Sequence, residues 1–298
     1  MISPPSLKKG DAIGLVAPAR KISEQQLNKA IAIIEKRGYK VVKGKYLFAS
    51  ENQFAGNDVQ RADDLQQMLE NPKVKAVFAV RGGYGSVRIV DKIDFHPLLK
   101  NPKWLAGYSD FTVFHNQLIN IGILSLHATM PLNFADNTPE ALDSLFETLE
   151  GEKPHYQFAS HPLNRKGKAG GMLVGGNLSV LYSLMGSRSF PNPAGKVLFL
   201  EDLDEYLYHI DRMMMALKRA GVLKNLAGLL VGGMTKMNDN TVPFGKTAEE
   251  IIRESVEEYS FPVAFGFAAG HFADNRTLIM GAEMCLEVGD ILSGIDFL

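Results

Sequence analysis

Residues 74–85 read VKAVFAVRGGYG, an apolar run that breaks into a turn with three glycines in four positions. Such a run, bounded by turn residues, fits a strand buried on both faces. Working outward, the same grammar recurs on both sides. Upstream, DAIGLVA at 11–17 predicts a buried strand. Ser23 predicts the N-cap of a helix reaching Arg37, with Gly38 as its stop, and Tyr39–Val42 a short strand. Asp58–Glu70 carries Leu65, Met68 and Leu69 on one helical stripe. Downstream come a helix starting near Val87, a strand Trp104–Tyr108, a helix 111–121, a strand Ile123–His127 and a helix Pro139–Leu149. Strands alternating with helices imply βαβ units around a parallel sheet covered on both faces. The expectation is an α/β protein with an N-terminal parallel-sheet domain, flavodoxin-like or doubly wound.

The pattern stops at 151–170, a polar stretch with two prolines and RKGKAGG, read as a connection between residues 1–150 and a smaller α/β domain at 171–298. There, strands are expected at Lys196–Leu200, Ala227–Val231 and Pro262–Phe267, helices at 206–220 and 247–259, and one or two strands within Arg276–Val288. A chain of 298 residues with 46% hydrophobic and 22% charged residues can bury its own core. The net charge of −1 and the lack of a Lys/Arg block give no footprint for nucleic acid or an anionic membrane. The single cysteine, Cys285, excludes an intramolecular disulfide and suits a reducing compartment. Prolines near the N-terminus and no apolar stretch of about 18 residues lead us to expect a cytoplasmic protein. Without an H-E-x-x-H motif or a Cys/His cluster, neither metal nor other cofactor is expected.

In open α/β sheets ligands sit beyond the carboxyl ends of the strands, so the residues after each strand matter most. Gly107-Tyr108-Ser109-Asp110 is a relaxed G-x-S-x-G elbow, with Phe111 where the second glycine would stand. Ser109 fits a helix N-cap equally well. In Arg81–Gly85 the glycines let backbone N–H groups converge, as a developing oxyanion needs, although a plain tight turn reads the same way. Glu201 can orient a histidine or open an acidic helix start, and Gly270-His271 can supply a general base or an ordinary loop histidine. Jointly these supply nucleophile, base, orienter and oxyanion donors. Gly82, Tyr84 and Asn177 are candidate substrate contacts. His127, also after a strand, reads as a packed or substrate-side histidine. Arg81 is a candidate cation for a substrate carboxylate, or a side chain lying across the sheet end.

VAPA at 16–19, RGGYG at 81–85, GYSD at 107–110, GGNL at 175–178, LED at 200–202, Asp211-Arg212 and Gly270-His271 together resemble the LD-carboxypeptidases, or muramoyltetrapeptide carboxypeptidases. These are serine peptidases whose family also includes the microcin C immunity proteins. The resemblance covers nearly the whole chain. It implies a triad of Ser109, Glu201 and His271, an oxyanion hole from the backbone of Gly83 and Asp110, and a homodimer of two-domain subunits. It implies release of a terminal D-alanine from murein tetrapeptides in peptidoglycan recycling, with a small peptide as the only partner besides a second copy. Ala19 replaces the family's frequent serine, Ala268-Ala269 a proline-containing segment, and Ile279-Met280-Gly281 a Pro-Leu-Gly-like one. The alternatives are a microcin C-type self-immunity hydrolase of aminoacyl-nucleotide analogues and a two-lobed solute-binding protein without enzymatic activity.

Overall fold

A computed structural model describes residues 1–298. The first half forms β1 (Ala12–Val16), α1 (Glu24–Lys36), β2 (Lys40–Lys43), α2 (Asp58–Glu70), β3 (Val74–Ala79), α3 (Pro97–Lys100), β4 (Trp104–Gly107), α4 (Thr112–Asn120), β5 (Ser125–His127) and α5 (Pro139–Glu150). Sequence accounts for these directly. Ser23 and Gln26 close a capping box on α1, and Leu27, Ala30 and Ile34 form its buried stripe. Asn57 and Gln60 do the same for α2. All residues of β1, β4 and β5 are buried, as strands covered on both faces must be. The parallel order β2-β1-β3-β4-β5 is the flavodoxin-like one.

The second half forms β6 (His155–Ala159), β7 (Gly167–Asn177), α6 (Leu178–Ser183), β8 (Val197–Leu203), α7 (Leu207–Arg219), β9 (Gly228–Thr235), α8 (Ala248–Ser255), β10 (Val263–Ala264), β11 (Leu278–Met280), β12 (Glu283–Val288) and β13 (Leu292–Phe297). Its sheet runs β10-β9-β8-β7-β12-β13-β6, parallel from β10 to β7 and antiparallel from β7 to β6.

Several expectations need correcting. The helix near Val87 is two short 3-10 turns, Ser86–Arg88 and Val90–Lys92. Segment 151–170 is no bare connection, because it contributes β6 and the start of β7 to the second sheet. With β6 included, that sheet has seven strands, one more than the first. One strand of the C-terminal half leaves altogether: β11 pairs antiparallel with β5 and becomes the edge of the first sheet. The strand expected at Pro262–Phe267 shrinks to two residues, since the Phe265 N–H donates to Asn164 Oδ1 at 2.8 Å instead of to a ladder carbonyl. The two sheets are stitched together behind α4. Thr112 Oγ1 accepts from the Asn177 N–H at 3.0 Å, and Asn116 Nδ2 donates to the Gly175 carbonyl at 3.0 Å. No helix is long and apolar enough to cross a membrane.

Candidate active site

The chain leaves β4 through Tyr108 and turns sharply at Ser109, whose φ is +61°. A serine in this left-handed region is strained and is held there by its surroundings. A 3-10 turn, Ser109–Phe111, then runs into α4. This is the strand–turn–helix geometry of a nucleophile elbow. The missing second glycine is accounted for. The Phe111 ring packs so tightly on Gly107 that a Cβ there would lie 2.7 Å from it.

Beneath Ser109 lies the glycine turn. A Cβ built on Gly82 would approach Ser109 Oγ to 3.2 Å, so glycine leaves the hydroxyl room that a methyl group would narrow. Gly83 has φ +109°, and the backbone N–H groups of Gly83 and Asp110 donate to no carbonyl of the chain. The buried Asp110 carboxylate ties turn and elbow together by accepting from the Ser86 N–H at 2.8 Å. Burial pushes its pKa up, against the hydrogen bonds from Ser86.

The second sheet supplies a carboxylate and an imidazole. β8 does not end before Glu201, as the sequence suggested, but runs through it to Leu203. Its register against β9 shifts between Leu200 and Asp202. Bulges of this kind re-aim side chains beside functional sites. Glu201 is fully buried, its Oε2 lies 2.7 Å from His271 Nδ1, and its Oε1 has no partner. Gly270 makes this contact possible. Its φ is +125°, and a Cβ there would sit 2.9 Å from Glu201 Oε2. Burial opposes the imidazolium of His271, but the charge and hydrogen bond of Glu201, with the charge of Asp202, outweigh it and raise the pKa. Asp202 itself is raised to about 7, first by burial and then by the charge of Glu201.

The two halves meet at Tyr108, whose ring lies 4.8 Å centroid to centroid from His271. Tyr108 precedes Ser109 in the chain, so the elbow of the first sheet and the turn carrying His271 lie side by side. With Nδ1 engaged by Glu201, Nε2 is the ring nitrogen that makes no hydrogen bond within the chain. No hydrogen bond joins the Ser109 hydroxyl to it in this state. Asn177 is adjacent too, in register with Glu201 across β7 and β8. Its amide is spent within the chain, because Oδ1 caps α6 and Nδ2 donates to Asp202 Oδ1 at 2.9 Å. Tyr84 packs on Phe54 and is exposed, and nothing brings it to the Glu201–His271 pair. Arg81 Nη1 donates to the Lys21 carbonyl at 2.8 Å.

Sequence reasoning missed two neighbours, Asn275 and Lys236, and had weighed a third, His127. Asn275 Oδ1 accepts from the Gly270 N–H at 2.8 Å and so fixes the turn that carries His271. His127 is fully buried against Tyr108 and Phe199, held neutral by burial, consistent with a packed histidine. Lys236 lines the cleft beside His271. No local motif marks Asn275 or Lys236. Only the packing of distant segments assembles them.

Comparison with known proteins identifies a family for both halves of the chain. Residues 13–128 match a family model described as the LD-carboxypeptidase N-terminal domain, and residues 170–286 match the LD-carboxypeptidase C-terminal domain. The chain is 34% identical over 297 residues to a Bacillus subtilis (strain 168) protein named "Probable murein peptide carboxypeptidase", covering 96% of this chain and 92% of that protein. The crystal structure of muramoyltetrapeptide carboxypeptidase from Oxalobacter formigenes matches with a TM-score of 0.89 at 30% identity, over 96% of this chain and 98% of that one. The microcin C7 self-immunity protein of Escherichia coli is 22% identical over 94% of this chain and 92% of its own length.

Proposed function

We propose, from the premise that the chain belongs to the LD-carboxypeptidase family, that it releases the terminal D-alanine of murein tetrapeptides through an acyl-enzyme on Ser109. His271 Nε2 takes the hydroxyl proton while Glu201, bonded to Nδ1, fixes the tautomer and stabilises the imidazolium. Ser109 attacks the carbonyl of the L,D-amide. The tetrahedral oxyanion is held by the N–H groups of Gly83 and Asp110, each worth roughly 3–4 kcal/mol of barrier in sites of this kind. His271 then returns the proton to the departing amine, and water, activated by the same imidazole, resolves the ester.

One observation carries this reading. A strained serine at a strand-to-helix turn follows Tyr108, whose ring packs on an imidazole already bonded to a buried carboxylate. The relatives' names favour a murein peptide over an aminoacyl-nucleotide as substrate. The only tryptophan, Trp104, is buried in β4 and is not available to stack a base. Peptidoglycan recycling in the cytoplasm and a homodimeric assembly belong to the same proposal. The test is incubation of an L,D-tetrapeptide with the wild-type chain, with mass spectrometry of the quenched protein. We expect release of D-alanine and a tripeptidyl adduct on Ser109. Turnover by the Ser109→Ala variant at the wild-type rate would falsify it.

A further inference from the structure

A peptidase that removes only the last residue must recognise a free carboxylate beside the bond it cuts. Arg81, the candidate read from sequence, is committed to the Lys21 carbonyl. On the His271 side of the site lies a cleft of about 290 Å³, lined among others by Tyr108, Asn133, Asn137, Lys236, His271 and Phe272. Lys236 is its one lysine or arginine. Its ammonium forms no ion pair within the chain, not even with Asp136, the carboxylate on the same cleft.

The backbone at Lys236 is constrained. Its φ is +52°, a left-handed conformation that a lysine adopts only under constraint. The constraint comes from the preceding residue. The Thr235 carbonyl accepts from the Asp204 N–H at 3.0 Å, and Thr235 Oγ1 lies 3.5 Å from the carbonyls of both Asp202 and His271. The anchor of Lys236 is therefore bonded to the strand that carries Glu201 and to His271 itself. Chemistry fixes the side on which the carboxylate must lie. His271 protonates the leaving nitrogen, and one α-carbon separates that nitrogen from the terminal carboxylate. The carboxylate therefore sits on the imidazole's side of the site.

We propose that Lys236 binds the terminal carboxylate of the substrate and makes this cleft the subsite of the departing residue. The inference rests on the peptidase reading above. The rival cation is Arg20, whose side chain lies across Gly83, where a Cβ would meet its Cδ at 2.5 Å. That places Arg20 over the glycine turn rather than in the His271 cleft. The carboxylate keeps its charge from ground state to transition state, so Lys236 contributes uniform binding, which appears in KM rather than kcat.

The test uses the full chain and two peptides with the same L,D-bond, one ending in a free carboxylate and the other in a carboxamide. Wild type should prefer the acid by about 10²-fold in kcat/KM, since a site built for a polar group rejects the analogue lacking it. Lys236→Met should abolish that preference by raising KM for the acid, with kcat within about threefold of wild type. Lys236→Arg should retain most of it. Lys236→Met with the wild-type preference, or Arg20→Met abolishing the preference when Lys236→Met does not, overturns the assignment. In that case wild-type turnover leaves the peptidase reading standing. A wild type that cleaves neither peptide sinks both.

Discussion

The two walls of the site are built from different materials. On the first sheet the chemistry is made by backbone: a serine at φ +61°, a glycine turn beneath it, and N–H groups left free at the start of a helix. On the second it is made by side chains and burial: Glu201, fully enclosed, holds His271 at 2.7 Å and raises its pKa. The difference teaches where each wall is vulnerable. The elbow stores local strain, so changes there act on conformation. The Glu201–His271 pair depends on charge in a desolvated place, so changes there act through protonation.

The largest expected effect tests the backbone wall. Ser109→Ala should lower kcat by about 10⁶-fold, the scale seen when a nucleophile of this type is removed. If the strain at 109 is real, Ser109→Gly should be more stable than Ser109→Ala by about 1 kcal/mol in denaturant melts, because glycine adopts the left-handed region without penalty. Equal stabilities would mean the elbow is not strained, and the contrast between the walls would weaken.

The second effect tests the charged wall. Glu201→Gln should cost about 10⁴-fold in kcat by losing the tautomer and the cation's partner. It should also move the pH profile. His271 must be neutral to act as base, and its pKa is raised, so the acidic limb of kcat/KM should lie above about 6.5 in wild type and fall in the variant. The stability sign follows the same shift. The pair's contribution is full below the unfolded histidine pKa of about 6.5 and is lost as pH rises through the higher folded value. Wild type and Glu201→Gln should therefore differ more in stability at pH 5.5 than at pH 9. An unmoved acidic limb would return Glu201 to a packing role.

Gly270→Ala sits between the two kinds of wall, a backbone change that strikes the charged pair. The added Cβ meets Glu201 Oε2 at 2.9 Å in a φ of +125°, so about 1–3 kcal/mol of stability should be lost. Activity should fall by about 10²-fold as the imidazole shifts. Thermal melts and kcat/KM measured together check this. A loss of stability with full activity would mean that the turn does not position His271.

The same contrast explains what was legible in the sequence. Backbone devices leave local signatures. The glycine turn, the G-x-S elbow and the capping boxes at Ser23 and Asn57 each occupy a few consecutive residues. The order of the first sheet follows from strand–helix alternation. Devices made by long-range packing leave none. The register shift opposite Glu201 exists only because β9 carries one residue more than β8 between paired positions. β11 joins the first sheet across about 150 residues of chain, and β6 and β13 lie where polar composition suggested a connection or nothing. Asn275 and Lys236 become site residues only when their loops fold onto β8. For the residues distant in sequence, Glu201 and His271, the family resemblance carried what spacing did not.

The smallest effect is also the finest probe of the backbone wall. Gly82 has ordinary φ, so alanine there meets no conformational penalty, only crowding. Its Cβ would stand 3.1 Å from Ser109 Cβ and 3.2 Å from both Ser109 Oγ and Met130 Cε. Relief needs a few tenths of an ångström, and Met130 can yield that cheaply because its side chain is flexible. If Met130 moves, Gly82→Ala keeps nearly full activity. If Ser109 moves instead, the hydroxyl leaves its line of attack, and a displacement well short of 1 Å should cost roughly three- to tenfold in kcat with KM unchanged. We expect the second outcome, since the serine lies on a strained turn while Met130 is buried within the core. Paired kcat and KM values for Gly82→Ala, set beside a Met130→Ala double variant that restores the space, separate the two. Recovery of kcat in the double variant would show that the elbow has so little slack that one methyl group beneath it is felt at the hydroxyl.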